Sequence, residues 1–90
     1  MQYLIQNIDK IHTTQNGVGR IVKNTGFFEH FYQKDREIAY NKIIDFCRQN
    51  IKNPDSKISI CGKNYYVESG PIIWTINRHS FTIITAHKKK

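Results

Sequence analysis

KISICGKNYYVESGPIIWTINRHSFTIITAHK, residues 57–88, decides the fold. Apolar residues recur here at every second position, the period of a strand with one buried face. Ile58 and Ile60 alternate with Ser59 and Cys61; Tyr65 and Val67 continue the pattern; Ile72, Trp74 and Ile76 alternate with Ile73, Thr75 and Asn77. Gly62-Lys63-Asn64, Ser69-Gly70-Pro71 and Arg78-His79 supply turn chemistry between these runs. The stretch therefore reads as an antiparallel meander of four strands. Closing the last hairpin with Asn77 facing Ser80 pairs Ile76 with Phe81 and Trp74 with Ile83. One sheet face then collects Ile58, Ile60, Tyr65, Val67, Ile72, Trp74, Ile76, Phe81 and Ile83. The other shows Ser59, Tyr66, Glu68, Thr75, Asn77 and Thr82, and that polar face or its rim is where function is expected.

The chain before this stretch changes period. Leu4, Ile5, Ile8 and Ile11 recur at helical spacing and predict a short opening helix. Thr13 or Thr14 can cap a second helix with the apolar stripe Val18, Ile21 and Val22, stopped at Asn24-Thr25-Gly26. Gly17 and Gly19 inside it cost about 1 kcal/mol each relative to alanine, which points to close packing or an irregular helix. Phe27, Phe28, Phe31 and Tyr32 read as an aromatic loop or turn pinned to the core. Asp35 then caps a longer helix with Ala39, Ile43, Phe46, Cys47 and Ile51 along one face, and Pro54 lies just past its end. The expected fold is α+β, with two or three N-terminal helices packed on one face of a four-stranded antiparallel sheet. It forms one domain over residues 1–90, with a helical half at 1–53 and the sheet at 57–88.

Ninety residues leave no room for a second domain, and 11 aromatic side chains, 5 Tyr, 5 Phe and 1 Trp, supply the core of a short chain. Fourteen Lys and Arg against seven Asp and Glu give a net charge of +7, which favours polyanionic partners. Cys47 and Cys61 form no CxxC pair and no zinc spacing, no secretory signal is present, and no apolar run spans a membrane. The expectation is a soluble, reduced, cytoplasmic protein without cofactor or metal site and without a membrane association. The closing Lys88-Lys89-Lys90 is too short a basic tail to argue for a lipid surface.

Candidate chemistry rests on histidine, whose acid and base forms coexist near neutrality. Metal-independent RNA cleavage needs a base, an acid and a cation at the phosphate. His87 and His12 are the candidate catalytic pair. Arg20, Lys63, Tyr66, Arg78, His79, Thr85 and Lys88 are the candidate nucleic-acid or partner-binding residues. Each has a plainer reading as well. His87 is otherwise an exposed strand-end residue, His12 the neighbour of a helix cap, His79 a solvated turn residue and Lys63 an ordinary turn lysine. Arg20 presents a planar donor fork beside two glycines, or else pairs with an acidic residue such as Glu68. Tyr66 points away from the core and can stack on a base. His30 sits among the aromatics and carries no assigned role.

Three segments carry a family resemblance. They are Ile11-His12-Thr13-Thr14 with Gly17, Arg20-Ile21 and Asn24; Gly62-Lys63-Asn64-Tyr65-Tyr66-Val67; and Thr75-Ile76-Asn77 with Ser80 through Lys88. Together they resemble the small bacterial proteins of the domain-of-unknown-function family numbered 3781. The resemblance covers both ends of the chain and implies a size but no mechanism. The order of elements is also similar to the barnase, colicin and toxin-type ribonuclease architecture, an analogy of fold alone. Two functions follow as expectations. One is a small basic domain that binds nucleic acid, RNA ahead of DNA, or a nucleoprotein complex, as a regulator or phage-type inhibitor. The other is a toxin-like, metal-independent ribonuclease. A homodimer is also expected if a bare sheet edge pairs with a copy of itself.

Overall fold

The computed structural model describes residues 2–89; Lys90 of the basic tail lies outside them. Helix α1 spans Gln2–Gln6 and is followed by a 3₁₀ turn at Ile8–Lys10. Helices α2 (Gln15–Thr25), α3 (Glu29–Lys34) and α4 (Arg36–Lys52) come next, then strands β1 (Lys57–Cys61), β2 (Asn64–Ser69), β3 (Ile72–Asn77) and β4 (Ile83–Lys88). The sheet order is β1-β2-β3-β4, all antiparallel.

The helix boundaries follow from local chemistry. The Thr14 hydroxyl accepts from the Gly17 N–H, and the Asp35 carboxylate accepts from the Glu37 N–H. Helix α2 stops at Gly26, whose φ of 73° is the left-handed conformation that glycine adopts without a Cβ clash. The aromatic segment expected as a loop contains α3. Its acidic Glu29 lies in the first turn and its basic Lys34 in the last, and both suit the helix dipole. Phe28, Phe31 and Tyr32, three and four residues apart, share the side that packs inward. The opening helix ends early at Gln6, where the Asn7 side chain donates to the Tyr3 carbonyl.

Helix α4 covers the sheet. Ala39, Ile43, Cys47 and Ile51 are buried together with Val67, Trp74 and Ile76. The Trp74 indole N–H is satisfied by Asn50 Oδ1 at 2.8 Å, so the largest core side chain carries no unpaired polar group. Burial pushes the Cys47 thiol well above its ordinary pKa, so it is a packing residue rather than a nucleophile. Phe46, expected on the buried stripe, lies on its flank. It remains 36% exposed while meeting Phe28 and Trp74 edge-on.

Three further expectations are corrected. Ile76 pairs with Ile83 and Trp74 with Ala86, across a register shift at Thr75/Ile76, instead of with Phe81 and Ile83. The Asn77 side chain causes the difference. Its Oδ1 accepts from the N–H groups of His79 and Ser80 at 2.8 and 2.9 Å, which lengthens the turn. Phe81 then takes φ 59°, donates to the Asn77 carbonyl and enters the core from outside the ladder. Ile60 is 46% exposed, because α4 lies over β2 and β3 and leaves the edge strand β1 uncovered. Thr75 is buried although it faces away from α4, because Tyr66 and Thr85 flank it on the neighbouring strands.

The two edges of the sheet differ. Residues 11–13 run parallel to the start of β4, with a bridge between His12 and Thr82. The His12 N–H donates to Phe81 O and the Ile83 N–H to His12 O. Thr13 Oγ1 donates to Ile83 O at 2.7 Å. Helix α2 packs against β4 behind this segment, and a Cβ on Gly17 would collide with Thr13 Oγ1. The outer edge of β1 has no such cover among the described residues.

Candidate nucleic-acid interface

In a meander the β1–β2 and β3–β4 turns lie at the same end of the sheet, which brings Lys63 and Arg78 together. The Arg78 N–H donates to Lys63 O at 2.8 Å, and its guanidinium Nη1 donates to Gly62 O at 2.9 Å. Next to them, in the same turn, stands exposed His79. His12 joins this corner through the parallel bridge. Its Nδ1 lies 2.8 Å from Lys10 O, and since a carbonyl only accepts, Nδ1 carries the proton there. Nε2 then accepts from Thr82 Oγ1 at 3.0 Å, and Ser80 Oγ lies 2.7 Å from Thr82 Oγ1.

This carbonyl–imidazole–hydroxyl chain has the layout of an activated nucleophile. The surrounding donors are committed, however. The N–H groups of His79 and Ser80 go to Asn77 Oδ1, that of Phe81 to Asn77 O, that of Thr82 to Ser80 Oγ and that of Ile83 to His12 O. None of these backbone N–H groups is left to meet a developing oxyanion. What the chain does is fasten the 10–13 segment to the β3–β4 turn. Ser80 had no place among the sequence candidates, and its position next to a histidine 68 residues earlier depends on a bridge that periodicity does not reveal.

The remaining candidates lie elsewhere. His87 is the penultimate residue of β4, opposite Ile73, and is exposed. At about 3.3 Å per residue, His87 stands about 16 Å along the strand from Thr82, the partner of His12, so the two histidines do not converge. Thr85 Oγ1 accepts from Asn24 of α2 at 3.1 Å. Lys88 Nζ sits over the Phe27 ring, 5.3 Å from its centroid. Arg20 is exposed on α2, and Glu68 pairs with Lys89 at 2.6 Å instead. That ammonium holds the Glu68 carboxyl below its ordinary pKa.

Register assigns the uncovered face row by row. Lys57, Glu68, Ile73 and His87 form one row; Ser59, Tyr66, Thr75 and Thr85 form the next; Cys61, Asn64 and Asn77 form the third. Half-buried Tyr66 is the aromatic of this face, flanked by two small hydroxyl residues. Lys63 and Arg78 stand at one end of the face, and His87 and Lys57 at the other. Lys57 and Lys89 were missed as candidates, although the cross-strand row that contains Lys57 follows from the turn positions.

A family model described as a protein of unknown function (DUF3781) matches residues 5–87. The chain belongs to this family. No curated protein and no solved structure matches it. The segments that carry the resemblance meet in space: His12 bridges Thr82, and Asn64 pairs with Asn77. Among the described residues no helix is long and apolar enough to cross a membrane.

Proposed function

We propose that this protein binds single-stranded nucleic acid, RNA ahead of DNA, free or within a nucleoprotein complex, on the sheet face that the helices leave open. The observation that carries this reading is the composition of that face. One aromatic ring stands at mid-sheet, and cationic or titratable side chains stand at both ends. A base stacks on Tyr66, while Lys63 and Arg78 on one side and Lys57 and His87 on the other meet the phosphates. The net charge of +7 supports the same reading, since polyelectrolyte attraction needs no specific motif. Binding without cleavage is favoured over the ribonuclease reading by the separation of His12 from His87 and by the committed backbone donors around Thr82. Regulation or inhibition by occupancy is the role such a module serves.

The test is a gel assay of purified protein with end-labelled single-stranded RNA at low and high salt, with EDTA present. A salt-sensitive shift with intact RNA supports the reading. EDTA-resistant cleavage that is lost in His12→Ala or His87→Ala overturns it.

A further inference from the structure

Away from the open face, at the end of the sheet where the α2–α3 connection, α4 and the β2–β3 turn meet, lies a pocket of about 320 Å³. Its walls are Phe27 and Phe28, Phe46 of α4, Pro71 of the turn and Ile72 of β3, an almost wholly apolar lining. Two of these rings remain in water, Phe27 at 46% and Phe46 at 36% exposure. Leaving such surface wet costs free energy in proportion to its area, and an apolar ligand would recover that cost.

A charge stands beside the pocket. Lys88 pairs across the sheet with Ile72, on the pocket side, and its ammonium lies 5.3 Å from the Phe27 centroid. Among the described residues Lys88 makes no ion pair, whereas the next residue, Lys89, is taken by Glu68. The other side of the Phe28 and Phe46 rings is different: there Lys42 and Asp45 both line the surface, so its charges balance. Among the described residues, Lys88 is thus an unpaired cation at the rim of the Phe27–Ile72 pocket, against one of its walls. Apolar walls with one convergent charged group are the usual make-up of a small-molecule site, and the volume is at the small end of that range.

We infer that this pocket binds a small amphipathic anion, an apolar chain or ring bearing one carboxylate. Its body lies between Phe27, Phe46 and Pro71, and its carboxylate meets Lys88 Nζ. The site is separate from the nucleic-acid face and makes no use of Tyr66, His12 or His87.

Trp74 provides the reporter, because it is the single tryptophan and its ring centroid is 6.2 Å from that of Phe46. The full chain is titrated with decanoate below its micellar range and, in parallel, with decanol. Trp74 emission and backbone amide NMR shifts are followed. A saturable response centred on Phe27, Phe28, Phe46, Ile72 and Lys88 is expected, with decanoate bound about fivefold more tightly than decanol. Lys88→Gln removes that preference and leaves decanol binding unchanged. Phe27→Asp, at an exposed wall position, abolishes binding of decanoate by like-charge repulsion. Equal affinity for acid and alcohol, an unchanged preference in Lys88→Gln, shifts scattered over the surface, or no saturable response each overturn the inference.

Discussion

The two glycines of α2 show how much one missing Cβ decides. Gly17 lies where α2 presses on the 11–13 segment: a Cβ there meets Thr13 Oγ1, whose hydroxyl is committed to Ile83 O. Gly17→Ala is expected to destabilise by about 1–3 kcal/mol in chemical denaturation, because neither the threonine nor the strand behind it can move freely. At Gly19 the nearest atom is the Tyr32 hydroxyl at 3.9 Å, so Gly19→Ala gains helix propensity of up to about 1 kcal/mol without a clash. From sequence alone the two glycines were equivalent, since propensity sees a helix but not its neighbour. Glu68 is a second single-residue case. Lys89 lowers its folded pKa below the unfolded value, so the pair stabilises above the unfolded carboxylate pKa and loses that contribution as pH falls through the carboxylate range. Thermal unfolding of Glu68→Gln across that range is expected to show a shallower acid limb than the parent protein.

At the scale of elements, the period-two pattern of residues 57–77 was enough to place β1, β2 and β3 with their turns, because the signal is local. The start of β4 was not legible. The Asn77 side chain replaces the ladder bonds that a two-residue turn would have made, and the register moves with it. Helix α3 was hidden by aromatic content, which propensity reads as irregular, although its end charges suit a helix dipole. The apolar junction of α4 with the sheet includes a buried polar contact, Asn50 to the Trp74 indole. Asn50→Ala leaves that N–H unpaired in an apolar setting. A loss of about 1–3 kcal/mol is expected, and it should be read as a lower denaturant midpoint with a red-shifted Trp74 emission on partial opening. A wild-type midpoint for this variant would mean that water replaces the contact at no cost.

For the molecule as a whole, α4 covers β2 and β3 on one sheet face and leaves the other face open; stability rests on the first, and the proposed binding on the second. The sequence showed the alternation and therefore the two faces. It also showed the basic side chains and the histidines, but not how they distribute: Lys63, Arg78, His79 and His12 gather at one corner, while His87 and Lys88 stand at the far end of β4. His12 reaches that corner through a parallel bridge between residues 70 apart, beyond the reach of any local pattern. The distribution separates the two histidines that a metal-free cleavage mechanism would bring together. The direct measurement is fluorescence anisotropy of a labelled single-stranded RNA with the parent protein and Tyr66→Ala, over a salt series with EDTA present. Three or four phosphate contacts predict a slope of log affinity against log salt of about −2 to −3. Loss of one stacked base predicts affinity about tenfold weaker for Tyr66→Ala, with the slope retained. Salt-independent affinity, or a Tyr66→Ala protein that binds as tightly as the parent, would contradict a nucleic-acid interface on the open sheet face.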